Sequence, residues 1–171
     1  MAGPDRPASG RTASVALRAL ARGHEPELLR IHSEPGVSRW WGPPEDGFPW
    51  RDEPDATRLV IEVDGAVAGL IQFYEEPTAR YRHASVDLFL DPALHGRGIG
   101  TRALAMLVEH LVGERGHHRI TIDPATANAA AIRSYEKAGF RAVGVMRRYE
   151  RNTAGDGWYD GLLMELVVDV D

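Results

Sequence analysis

The sequence predicts a mixed α+β fold, a mostly antiparallel central sheet of about six to seven strands flanked by helices. Three observations lead there. Asp64-Gly65 separates two β-rich runs, the signal of a tight antiparallel hairpin. A third strand-like run then passes through alternate glycines into a helix, a short strand and a second helix. Two last strand-like runs flank a Gly-Asp-Gly loop, so the helical stretches sit inside an otherwise antiparallel order.

Residues 1–13, rich in Pro, Gly, Ser and Arg, read as a disordered tail, and with no apolar stretch behind them they do not resemble a signal peptide. Residues 14–171 then read as one domain. Ser14 to Leu20 alternates apolar and polar residues, which predicts a strand. Glu25 to His32 carries Leu28, Leu29 and Ile31 behind an early Pro26, which predicts a helix. The stretch 37-VSRWWGPPEDGFPWRDEP-54 holds enough breakers to predict a loop, one that presents Trp40, Trp41 and Trp50. Arg58 to Val63 and Ala66 to Tyr74 are the hairpin strands, and 83-HASVDLFLD-91 is the strand that enters the glycine loop. Ile99, Ala103, Met106, Leu107, His110 and Leu111 recur at helical spacing. After the strand 118-HRITID-123, a helix over 127–140 stops at Gly139, a position suited to a left-handed cap. Strands over about 141–149 and 158–168 finish the chain.

Composition bounds the chemistry. With 171 residues, 43% hydrophobic and 26% charged, the chain can bury a sizeable core. It has no cysteine, which excludes disulfides, thiolate metal sites and a cysteine nucleophile, and fits the reducing cytoplasm where the protein is expected. No window approaches the ~18 apolar residues of a membrane span, so a soluble protein without a membrane partner is expected. Net charge is −5 and Lys137 is the only lysine; such a surface disfavours nucleic acid and suits a cationic small molecule. His117 and His118 precede a strand, lack metal-site spacing and are expected at the surface, as is the solvated run Arg147-Arg148-Tyr149-Glu150-Arg151. No metal is expected. Monomer and dimer both remain open.

The segment His95-Gly96-Arg97-Gly98-Ile99-Gly100 exposes backbone N–H groups at a helix start, a way to hold phosphates. Two ligands fit. Gly98-x-Gly100-x-x-Ala103, with Asp123 ending the next strand, matches a dinucleotide fingerprint, but it follows an antiparallel hairpin and no further βαβ unit comes after it. The other ligand is coenzyme A. The same loop resembles the (Q/R)-x-x-G-x-(G/A) pyrophosphate loop of the GNAT acetyltransferases, with His95 where Gln or Arg is usual. Asn128…Ala131…Tyr135-Glu136-Lys137-Ala138-Gly139-Phe140 resembles their second signature. Arg39-Trp40-Trp41-Gly42, Val86-Asp87-Leu88-Phe89-Leu90 and residues 122–140 narrow the resemblance to the aminoglycoside 6′-N-acetyltransferases.

That resemblance implies acetyl-CoA as donor and direct transfer to a primary amine in a ternary complex. It assigns Leu88, Phe89 and Leu90 to the pantetheine arm and 95–101, Thr101 included, to the pyrophosphate. Asn128 falls to the arm or its neighbourhood, and Tyr135 to the departing thiolate. Alkylamines have pKa values near ~10, so a carboxylate must take a proton. Asp87 is the expected base, on the strand face opposite Val86, Leu88 and Leu90. Glu75 and Glu76 are reserve bases. Trp40 and Trp41 are expected to line the acceptor pocket, one of them also plugging the core. Tyr74, Glu75, Glu76, Asp87, Asp123, Asp156 and Asp160 would surround a polycation. Two other outcomes stay open: N-terminal acetylation of ribosomal-type peptides, and a non-catalytic acyl-CoA sensor.

Overall fold

A computed structural model describes residues 13–51 and 56–169; the expected tail, apart from Ala13, lies outside them. Period-two alternation makes a four-stranded antiparallel meander of β1 (Val15–Ala19), β2 (Ala56–Val63), β3 (Ala66–Glu76) and β4 (His83–Leu90). Asp64 and Gly65 turn the β2–β3 hairpin with φ of 50° and 83°, the left-handed pair that a two-residue turn needs. Between the first two strands lie α1 (Glu25–Ser33) and α2 (Pro35–Trp41).

The residues expected to form only a loop therefore begin as a helix. Its breakers stand at its ends, where they act as boundaries: Pro35 opens α2 and Gly42, at φ 74°, follows its last residue. Trp40 and Trp41 are helical as a result.

After β4 come α3 (Ile99–Gly113), β5 (Arg119–Ile122), α4 (Ala129–Lys137), β6 (Arg141–Arg151) and β7 (Trp158–Val167). The seven strands form one sheet in the order β1-β2-β3-β4-β5-β7-β6, antiparallel except for β4 and β5. One face of the sheet packs Ile61, Ile71, Val86, Ile120 and Met164 against Leu104, Leu107 and Phe140. On the other face Val60, Leu70 and Phe89 bury Leu28, Ile31 and Val37, at about 1.5–3 kcal/mol per side chain. That second cluster fixes α1 and α2 to the sheet. Among the described residues no helix is long and apolar enough to cross a membrane.

The pairing of β4 with β5 is short: only Ala84 with Ile120 and Ser85 with Thr121 are in register. Beyond them the chain after β5 turns towards β7. Thr126 N–H donates to Asp160 O at 2.8 Å, Leu162 N–H donates to Pro124 O at 2.8 Å, and Ala125 bridges Gly161. Pro124 has no N–H to offer β4. The two central strands therefore part, and the sheet opens between them.

Candidate active site

The opening is a cleft of about 1000 Å³ bounded by β4, the ends of α2 and α3, α4, the 122–125 turn and β6. At one end Gly96 and Gly98 hold φ of 73° and 75°, and a Cβ at either would stand in open space. This left-handed pair turns the chain into α3, where Arg102 N–H to Gly98 O at 3.0 Å is the first helical bond. Helix geometry then leaves the N–H groups of Ile99, Gly100 and Thr101 without acceptors in their own helix. Buried Ile99 pins the loop to the core, and His95 Nε2 donates to Leu90 O at 3.0 Å, so the residue that departs from the usual motif braces the loop. A phosphate chain fits this cradle. Arg133 and Lys137 of α4 line the same end and bring positive charge.

The middle of the cleft is formed by Leu88, Phe89 and Leu90 of β4, with Asn128 and Tyr135 across from them. Asn128 Oδ1 accepts from Ala131 N–H at 3.2 Å and caps α4, while Thr101 and Ser134 hydroxyls, 2.9 Å apart, tie α3 to α4. Tyr135 is only 9% exposed. Desolvation first, then the Asp87 and Asp123 charges, pushes its phenol well above the ordinary range. The phenol is protonated at neutral pH.

The other end is acidic. Asp87, Asp123 and Glu150 line it, with Trp40, Trp41 and Tyr149. Desolvation raises the Asp123 carboxyl against a hydrogen bond from Tyr149, and desolvation followed by the Asp123 charge raises Glu150. The Tyr149 hydroxyl, donating to Asp123, is pushed up to about 12. Trp41 packs edge-on to Phe89 at 5.0 Å and reaches the apolar cluster below; Trp40 lies tilted against Tyr159, ring centroids 6.0 Å apart, with the Arg39 guanidinium 4.5 Å from its ring centroid. One tryptophan thus doubles as core, and both face the cleft.

Several expected residues stand elsewhere. Alternation sends Glu75 to the α3 face, where Arg115 bonds it at 2.5 Å and His117 at 2.7 Å. Arg115 is the main reason its carboxyl is held down at about 2, which makes it a poor base. Glu76 accepts from Thr78 N–H, and Tyr74 takes a hydrogen bond from Gln72 at 2.8 Å. Asp160 accepts from Arg148 N–H, Asp156 bonds Asn152, and neither they nor exposed Arg97 lines the cleft. His117, expected at the surface, is 1% exposed because it closes the Glu75 pair beneath the α3–β5 turn. Tyr149 and Glu150 are exposed, as the solvated-run reading expects, yet both also line the cleft, a placement that sequence reasoning missed. Among the described residues no cluster of His, Cys, Asp and Glu could hold a metal ion.

Residues 25–140 match the acetyltransferase (GNAT) family. The chain is 27% identical over 154 residues to an aminoglycoside N(6′)-acetyltransferase type 1 of Klebsiella pneumoniae, covering 78% of this chain and 77% of that one. It is 33% identical over 91 residues to the N-alpha-acetyltransferase RimI of Mycobacterium tuberculosis, covering 53% and 54%. The chain thus spans about half the length of some curated relatives. Its fold superposes with a TM-score of 0.76 on a spermidine N-acetyltransferase from Vibrio cholerae solved with CoA and spermine, at 20% identity over 90% of this chain and 95% of that one. A family match over most of the chain, on a sheet that opens between β4 and β5 beside a glycine cradle, is decisive: the protein belongs to the GNAT acetyltransferase family.

Proposed function

We propose that the protein transfers the acetyl group of acetyl-CoA to a primary amine of a small polycation, with the 6′-amine of aminoglycosides as the leading acceptor. The observation that carries this is the polarity of one cleft: glycine cradle, Arg133 and Lys137 at one end, and Asp87, Asp123 and Glu150 with Trp40 at the other. Acetyl-CoA supplies an acetyl group activated as a thioester. Gly96 to Thr101 receive the pyrophosphate on backbone N–H groups, and the free edge of β4 receives the pantetheine amides. Asp87 takes the proton that the attacking amine loses, and Tyr135 gives one to the departing sulfur. Holding both substrates in one cleft supplies ~7–11 kcal/mol of the barrier.

The test is release of free thiol from acetyl-CoA by purified protein. Saturable turnover with 6′-amino aminoglycosides, lost when a 6′-hydroxyl replaces the amine, is the expected result. Turnover with Ser- or Ala-starting peptides alone moves the acceptor to protein N-termini. No turnover with any amine, alongside normal acetyl-CoA binding, leaves a sensor domain.

The acidic end also sets a pH dependence. Asp123 and Glu150 are raised above 3.8 and 4.5, so they take up protons earlier than ordinary carboxylates as pH falls. The KM for a cationic acceptor is therefore expected to rise on acidification before pH 4.5 is reached, through loss of negative charge, while the acetyl-CoA KM stays level. An acceptor KM flat from pH 7.5 to 4.5 removes these two carboxylates from acceptor binding.

A further inference from the structure

The β6–β7 ladder slips beside the cleft. Met146 lies opposite Gly161 and Glu150 opposite Tyr159, so residues 147–149 stand against Asp160 alone. Arg148 sits in this bulge at φ +52°, a left-handed conformation uncommon for an arginine. Its N–H donates to Asp160 Oδ1 at 2.7 Å, which holds the bulge in place. Next in the chain is Tyr149, whose ring lies on Gly161: a Cβ there would come within 2.8 Å of Cδ1. Asp160 and Gly161 also hold the turn that follows Asp123, through Thr126 N–H to Asp160 O and the Ala125–Gly161 bridge. One dipeptide of β7 thus anchors both carriers of the acidic end.

We propose that Asp160 and Gly161 are positioning residues that seat Tyr149 against Asp123, making Tyr149 a specificity residue for acceptors with a second ammonium group. The tyrosine hydroxyl orients one carboxylate, and the bulge brings Glu150 beside it, so the two acids face one cation. The inference rests on the amine-acceptor reading above, and it names the acceptor class as polyamines over monoamines.

The full chain with Asp160→Ala is compared with wild type on spermidine and on benzylamine. The expected result is a spermidine KM raised about tenfold, with kcat and the acetyl-CoA KM within about twofold and the benzylamine KM hardly moved. Asp160→Asn, whose amide oxygen still accepts from Arg148, is expected to restore the spermidine KM. An Asp160→Ala enzyme equal to wild type, or one that loses both amines alike, overturns the proposal. A second readout is independent of turnover: ¹⁹F NMR of 3-fluorotyrosine-labelled protein, with the Tyr149 line identified by its absence in Tyr149→Phe. That line is expected to shift in Asp160→Ala and Gly161→Ala and to hold in Asp160→Asn. If wild type acetylates no amine, the acceptor reading fails; the seat of Tyr149 then stands or falls on that line, and a line unmoved in both variants overturns it.

Discussion

Asp87→Asn is expected to lower kcat/KM for amine acceptors by about 10²–10⁴-fold, the range that loss of a general base gives. The amide keeps the shape of the carboxylate but cannot take a proton. Strand alternation sets the position of Asp87: Val86 and Leu90 point into the α3 layer, and Asp87 points to the α1–α2 face that the cleft cuts. Gln72 stands opposite on β3, and the cleft removes the strand that would otherwise cover Asp87 on the β5 side. Steady-state kinetics at saturating acetyl-CoA measure the effect. A loss below about tenfold assigns the proton to Asp123, Glu150 or bulk water instead. Glu75 is no substitute, since Arg115 and His117 hold it on the other face.

Gly69→Ala is expected to cost about 3 kcal/mol and lower Tm by roughly 6–12 °C. A Cβ at Gly69 would lie 2.2 Å from Phe89 O and 3.0 Å from Leu90 Cα. Both are backbone atoms of the paired strand, so no side chain can swing aside. Relief comes only by prising β3 from β4, and Phe89 and Leu90 line the middle of the cleft. Acetyl-CoA affinity is therefore expected to fall together with stability. Thermal unfolding followed by circular dichroism, with and without CoA, measures both; a Tm within about 2 °C of wild type means that the strands yield more cheaply than packed backbone should.

Most of the fold could be read from the chain because its signals are local. Asp64-Gly65 has the turn chemistry of a tight hairpin, and Ile99, Ala103, Leu107 and Leu111 have the spacing of a helix face, all now buried on α3. The Trp40–Trp41 segment was harder to read, because prolines and glycines that end a helix look the same, in one dimension, as those that prevent one. The glycine-cradle end was legible for the same reason as the hairpin: its glycines and helix start are contiguous. The acidic end was not. Glu150 reaches the cleft through a bulge, and a bulge depends on the register of a partner strand ten residues away, Asp160 included. Glu75 misled in the opposite sense, since which face a strand-end acid takes is settled by partners such as Arg115 and His117 on another element.

The parting of β4 from β5 divides the labour along the chain. The end that carries the glycine cradle, which we assign to the donor, is built from Leu88–Leu90, the loop into α3 and α4, inside the family match that ends at residue 140. The acidic end, to which we assign the acceptor, draws on α2, Asp87, the turn after β5, and the β6–β7 hairpin that follows that match. Mutations that reshape the second end need not touch the first. Proteins named for an antibiotic, a polyamine and a protein N-terminus resemble this chain in sequence or fold, and the two ends of its cleft draw on separate elements.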